Sequence, residues 1–228
     1  MAQNTSSSRP AADHTASIIS LAQRSLLTPN DALQNALASS NKHGLRPVQV
    51  TPLQGQLLAI QAQLIGAKSV LEIGVLGGYS TIWFAQAGAH VTGIEIDPKH
   101  RDVALANINA AGFDDSKVEI ILGAALEVLP KLAAEGRVFD FVFIDASWDE
   151  QWEYFDWAVK LTRPKGAIYV DNVVRALVYN GTVDETKESI VTKVGKDERV
   201  RATLVPTAFK QQGAEDEVDG YLLAIVKG

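Results

Sequence analysis

The 228-residue chain predicts an α/β fold, a doubly wound and mostly parallel sheet, and three observations predict it. Five short apolar runs, Ser69–Ile73, His90–Glu95, Val118–Leu122, Phe139–Ile144 and Ala167–Val170, follow one another along the chain, and continuous runs of this length suit strands buried on both faces. Stretches with helical spacing separate them, near 79–87, 98–111, 124–135 and 151–162, and strand–helix–strand alternation points to parallel pairing. Finally, Val200–Val205 and Gly220–Val226 are strand-like with no apolar helix between them, which predicts an antiparallel pair at one edge.

The elements follow from local signals. Residues 1–14 are rich in Ser, Thr and Ala, so burial there cannot offset the entropy of ordering, and a loose tail is expected. Residues 15–228 then read as one domain. Over 15–42, Ile18, Leu21, Leu26, Leu33 and Leu37 keep helical spacing around the break Thr28-Pro29-Asn30, which predicts two short helices. Gly44 to Pro52 carries two prolines and no periodicity, so it reads as a crossing segment before a helix bearing Leu53, Leu57, Leu58, Ile60 and Leu64. Asp97-Pro98 opens the helix after the second run, with Asp97 at the N-cap and Pro98 in the first turn. Trp152, Phe155 and Val159 recur at helical spacing and are expected in the core.

Composition narrows the function. Hydrophobic residues make up 46% and charged residues 21%, an ordinary globular balance. The absence of cysteine excludes disulfides, thiolate metal sites and a cysteine nucleophile, and it fits a reducing compartment. A net charge of −6 gives no general attraction to nucleic acid or anionic lipid. The first ten residues lack a signal peptide's apolar core, and no apolar run of about 18 residues occurs. A soluble cytoplasmic protein with neither nucleic-acid nor membrane partners is the expectation.

In such sheets ligands bind beyond the carboxyl ends of the strands. The first run ends Glu72-Ile73-Gly74-Val75-Leu76-Gly77-Gly78-Tyr79-Ser80, where glycines permit a tight turn and the following helix offers N–H groups to an anion. Its spacing is not the Gly-x-Gly-x-x-Gly of dinucleotide sites, which argues against an NAD-dependent dehydrogenase; a plain strand-to-helix turn capped by Ser80 is the structural alternative. Glu95 ends the second run about twenty residues on, where a carboxylate can accept hydrogen bonds from ribose hydroxyls. Loop and Glu95 together imply a nucleoside with an anionic or zwitterionic partner group, and S-adenosylmethionine fits at least as well as NAD. Asp145, Asp171 and Asn172 end neighbouring runs. They are hard oxygen donors suited to Mg²⁺, Mn²⁺ or Ca²⁺, or else caps of the next turn. His14, His43, His90 and His100 form no metal motif.

These residues resemble the cation-dependent O-methyltransferases, the group that includes catechol and caffeoyl-coenzyme A O-methyltransferases. The resemblance spans about Gly44 to Val226 and rests on Leu71-Glu72-Ile73-Gly74, Gly77-Gly78-Tyr79-Ser80-Thr81, Glu95-Ile96-Asp97, Gly123-Ala124-Ala125-Leu126, Phe139 to Ala146, Tyr169-Val170-Asp171-Asn172 and Asp219-Gly220-Tyr221. It implies a Rossmann-like S-adenosylmethionine-dependent methyltransferase fold whose seven-stranded sheet ends in an antiparallel hairpin. It also implies that Glu72, Gly74 and Ser80 hold the methionine end of the cofactor, Glu95 its ribose and Ala125 its adenine. Val50 and Asp145 complete that contact set. Asp145, Asp171 and Asn172 match the metal ligands, Asp145 and Trp148 fall at the reaction centre, the acceptor is a small aromatic diol of catechol type, and the chain pairs as a homodimer.

One departure stands out. Trp148 occupies the place of the family's proton-accepting lysine, and an indole accepts no proton. Two readings follow: a metal-bound phenol that ionises to water, Asp149 or Glu150, with Trp148 stacking on the acceptor, or a cofactor-binding protein whose chemistry is lost or altered. Acceptor contacts are expected from 43–52, 147–152 and 173–184.

Overall fold

The computed structural model describes residues 11–209 and 217–228. Two short helices, α1 (Ala11–Leu26) and α2 (Asp31–Lys42), precede α3 (Pro52–Leu64). The alternating part then runs β1 (Ser69–Ile73), α4 (Tyr79–Gln86), β2 (His90–Glu95), α5 (Pro98–Ala110), β3 (Val118–Leu122), α6 (Ala125–Ala134), β4 (Phe139–Ile144), α7 (Gln151–Leu161) and β5 (Thr162–Val170). It closes with α8 (Val173–Tyr179), α9 (Ile190–Gly195), β6 (Val200–Phe209) and β7 (Glu217–Val226). The seven strands lie in the order β3-β2-β1-β4-β5-β7-β6. β1 to β5 pair in parallel, and β7 is antiparallel to both β5 and β6. Chain direction across the sheet reverses between β1 and β4, and a crevice opens at that switch point beyond the strand ends. The expected tail falls largely outside the described residues, and α1 is described from Ala11.

Asp97 caps its helix as expected, and Thr51, not anticipated as a cap, starts another. Asp97 accepts hydrogen bonds from the N–H groups of Lys99 and His100 at 2.7 and 3.3 Å, and Thr51 caps α3 through the Gln54 N–H at 3.3 Å. Ser80 does not cap α4; Gly78, at φ +79°, holds the cap position. Three boundaries differ from the sequence reading. β5 starts at Thr162 because Phe139 pairs with Thr162 while Phe141 pairs with Ala167, so residues 163–166 bulge from the ladder. α8 falls in the stretch 173–184 expected to supply acceptor contacts, and α9 lies where the sequence reading assigned no element. Both are short, of 7 and 6 residues, and each buries only two side chains, so neither shows a sustained periodic signal.

The strands sort their side chains by parity. Leu71, Ile73, Val142, Ile144, Ile168 and Val170 face α6, α7 and α9, where Leu129, Phe155, Val159 and Ile190 pack. Val70, Phe141, Phe143, Ala167 and Tyr169 face α2 to α5, where Leu33, Leu58, Ile82 and Ile108 pack. Both faces are dry, which is why the strand sequences are continuously apolar. Among the described residues, no helix is long and apolar enough to cross a membrane.

Glu72 breaks this apolar order. It shares the parity of Val70, is 0% exposed, and accepts hydrogen bonds from the hydroxyls of Ser80 and Thr81 in α4. Burial pushes its carboxyl up from 4.5 to about 7, the two hydroxyls oppose the rise, and the charge of Glu95 adds to it. The native state therefore keeps a proton that the unfolded chain loses. Its contribution to stability is full below about pH 4.5 and is lost as pH rises through about 7. A glutamine here accepts from one hydroxyl and donates to the other, without charge. Glu72→Gln is expected to gain on the parent between those pH values, levelling at about 3 kcal/mol. Urea unfolding across a pH series checks this, and parallel curves for the two proteins would contradict it.

Candidate active site

The parallel ladder continues one residue past its strands and thereby aligns the site. Gly74 N–H donates to Ile94 O at 3.0 Å, Asp145 N–H to Ile73 O at 2.9 Å and Asp171 N–H to Ile144 O at 2.9 Å. Gly74 sits at φ +92°, and a Cβ there would lie 2.0 Å from the carbonyl oxygen of Asp145, so the ends of β1 and β4 approach as only glycine allows. A cleft of about 1350 Å³ opens over these ends. Its walls include Val50, Gly74, Ser80, Glu95, Ala125, Asp145, Trp148, Asp171 and Asn172, so every sequence-predicted site residue except Glu72 lines one cavity. Strand parity turns Glu72 into the layer below, and its carboxylate reaches the wall only through Ser80.

At the loop end, Glu95 organises the backbone. Its Oε2 accepts the N–H groups of Val75 and Leu76 at 3.1 and 2.8 Å, and its Oε1 accepts that of Asp97 at 2.9 Å. His100 Nδ1 lies 3.6 Å from the same Oε1. Leu76 takes the left-handed conformation at φ +52°, held there by these bonds. Asn107 donates to the carbonyl of Gly77 at 2.9 Å, and a Cβ at Gly77 would lie 2.1 Å from Ser40 Oγ, so α2 and α5 clamp the loop from outside. The arrangement leaves a glycine-lined turn beside a 6% exposed carboxylate, which can receive a ribose and a zwitterionic tail.

At the other end the charge is concentrated. Burial, then the negative charges of Asp171, Glu72 and Asp219, hold the Asp145 carboxyl well above its usual range. Burial also raises Asp171, opposed by its hydrogen bonds and by Arg175. Gln54 Nε2 donates to Asp171 Oδ1 at 2.8 Å, and Gln151 Nε2 donates to the Asp171 carbonyl at 2.9 Å. Asn172, at φ +55°, donates its Nδ2 to Asp219 Oδ2 at 2.9 Å, which turns its Oδ1 into the atom able to ligate. Asp219 is engaged further by Arg175 at 3.1 Å and by the Gly220 N–H at 2.8 Å. Among the described residues, no group of three His, Cys, Asp or Glu side chains gathers as a ligand set. The converging donors are two carboxylates and an amide oxygen. Burial and the charge of Asp171 hold Asp145 up, Arg175 relieves Asp171 only in part, and the hard oxygen chemistry of the set fits a divalent cation.

Trp148 lies in a 3₁₀ turn, Trp148–Glu150, directly after β4. Its ring meets that of Tyr179 edge-on, with centroids 5.8 Å apart and planes at 71°. Of the two acidic residues that follow it, Glu150 lines the cleft and accepts from the Tyr154 hydroxyl, whereas Asp149 lines a separate cavity of about 200 Å³ behind Trp148. Gln54 lies outside every segment expected at the site, and Gln151 and Arg175 fall within expected acceptor segments without being singled out there. Each is an ordinary polar residue on a helix, and only the three-dimensional placement of α3, α7 and α8 over the strand ends brings them to the site.

The O-methyltransferase family model matches residues 26–209. The O-methyltransferase imqG of Aspergillus flavus is 42% identical over 214 residues, covering 87% of this chain and 84% of that protein. A catechol O-methyltransferase of Niastella koreensis is 41% identical over 208 residues, covering 87% and 91% respectively. The crystal structure of the O-methyltransferase from Bacillus cereus in complex with SAH superposes with a TM-score of 0.82 at 35% identity, covering 92% of this chain and 97% of that one. The chain belongs to the O-methyltransferase family that its motifs resemble and is an S-adenosylmethionine-dependent O-methyltransferase.

Proposed function

We propose that the enzyme depends on a divalent cation, Mg²⁺ or a similar ion, and methylates one hydroxyl of a small aromatic diol of catechol type. The observation that carries this reading is the convergence of Asp145, Asp171 and the Asn172 amide on the cleft that also holds the glycine loop and Glu95. The relative of Niastella koreensis named a catechol O-methyltransferase supports the acceptor class. When bound, the cation supplies Lewis acidity that lowers the pKa of a coordinated hydroxyl. Asp145 and Asp171 hold it through carboxylate oxygens and Asn172 through Oδ1. Glu95 binds the ribose, Gly74 and Ser80 face the methionine end, Ala125 and Val50 border the adenosine, and the fixed strand ends orient acceptor and methyl group for in-line attack.

Proton removal rests on unusual means. Trp148 offers an N–H and no lone pair, so the acceptor's proton leaves to water or to Glu150, whose carboxylate faces the cleft. The indole face stacks on the acceptor ring, braced by Tyr179.

Three outcomes test this reading. Methyl transfer to catechol should require added Mg²⁺ and vanish in excess chelator, and Asp171→Ala should abolish the stimulation; equal transfer with chelator would overturn the cation dependence. Glu95→Gln, which removes one of the two acceptor oxygens, should weaken S-adenosylmethionine binding in calorimetry by about 1–3 kcal/mol, and unchanged affinity would take Glu95 out of the cofactor site. With no lysine at position 148 to act as base, the parent's rate should climb with pH until the acceptor hydroxyl ionises. Trp148→Lys should raise turnover at neutral pH, toward the roughly 10²–10⁴-fold worth of a general base, while weakening acceptor binding. If neither quantity moves, Trp148 lies outside the reaction centre.

A further inference from the structure

We infer that Gln54 is a positioning residue for the cation site, fixing which oxygen of Asp171 faces the cleft; this rests on the cation reading above. The argument begins with the residue after it. Gly55 is buried against Trp83 of α4, and a Cβ there would lie 2.3 Å from the indole Nε1, so α3 settles closer to α4 than any other residue would permit. Thr51 caps the helix through the Gln54 N–H, and the first turn of α3 is thereby held over the ends of β4 and β5.

From that turn the Gln54 amide reaches two groups of β5. Its Nε2 donates to Asp171 Oδ1 at 2.8 Å and to the Tyr169 hydroxyl at 3.2 Å. Tyr169 is itself immobilised. Its ring is fully buried, stacks on Tyr221 at 4.3 Å between centroids and 16° between planes, and meets Phe143 edge-on. Both amide hydrogens are thus spent on fixed partners. Asp171 is tied from the other side, where Gln151 donates to its main-chain carbonyl at 2.9 Å. With Oδ1 anchored by a neutral donor, Oδ2 is the oxygen presented for ligation, and the donor itself adds no positive charge to compete with an incoming cation. A neutral amide performs this better than a lysine, which would repel the cation, or a glutamate, which would add a charge to an already crowded cluster.

Mn²⁺ binding to the purified full chain, followed by the loss of the free-ion electron paramagnetic resonance signal, tests this without reference to turnover. Gln54→Met keeps the length and loses the donor; Gln54→Asn keeps the donor and falls short. Both are expected to weaken Mn²⁺ binding by about 10–100-fold, the range for groups that orient metal ligands, while SAH affinity measured without cation is retained. Gln54→Met holding Mn²⁺ as tightly as the parent overturns the proposal, as does an equal loss of SAH and Mn²⁺ affinity in both variants, which assigns Gln54 to general packing. A parent chain that takes up no Mn²⁺ overturns the cation reading itself, and the role of Gln54 with it.

Discussion

Mutual repulsion among Asp145, Asp171 and Asp219 at the ends of β4, β5 and β7 is the constraint around which this end of the molecule is arranged. Carboxylates driven together in a partly dry site cost free energy unless something compensates them. The surrounding residues supply only partial relief. Arg175 and the Asn172 amide attend to Asp219, Gln54 and Arg175 to the Asp171 carboxylate, and Gln151 holds only the Asp171 main chain. In the proposed function, a divalent cation is the positive group that Asp145 and Asp171 would share.

The opposite end of the cleft solves a different problem by similar means. Turning from β1 into α4 leaves backbone N–H groups with no ladder partner, and Glu95 collects those of Val75 and Leu76, together with the N–H of Asp97 after β2. The loop is therefore shaped before cofactor arrives, which reduces the ordering cost of binding. Glu95 builds the loop and, in the proposed function, would also present its oxygens to the ribose, two roles that one mutation does not separate cleanly. Glu72 supports the same turn from beneath through Ser80 and Thr81.

The parts legible in the sequence were those whose chemistry is local. Strand runs such as Phe139–Ile144 announce themselves because both faces are buried, and Asp97 marks a helix start because its cap bonds lie within three residues. Strand-end residues such as Glu95, Asp145 and Asp171 were legible by position, because the fold puts every such end on one crevice. Glu72 lies beneath the cleft and not on its wall because parity, and not proximity in sequence, decides which layer a strand residue enters. Gln54 was invisible for the opposite reason: nothing near it in sequence refers to Asp171, 117 residues away, and only the Gly55 contact with Trp83 brings α3 into reach. The bulge at 163–166 and the short α8 and α9 depend on pairing and packing partners far along the chain.

The central claim is that Asp145, Asp171 and Asn172 form one divalent-cation site beside the cofactor. Anomalous diffraction from crystals of the unmodified chain grown with Mn²⁺ and SAH tests it most directly. A single peak bridging the side-chain oxygens of these three residues is the expected result. A map with no peak between them, while SAH occupies the loop and Glu95 end of the cleft, would contradict it.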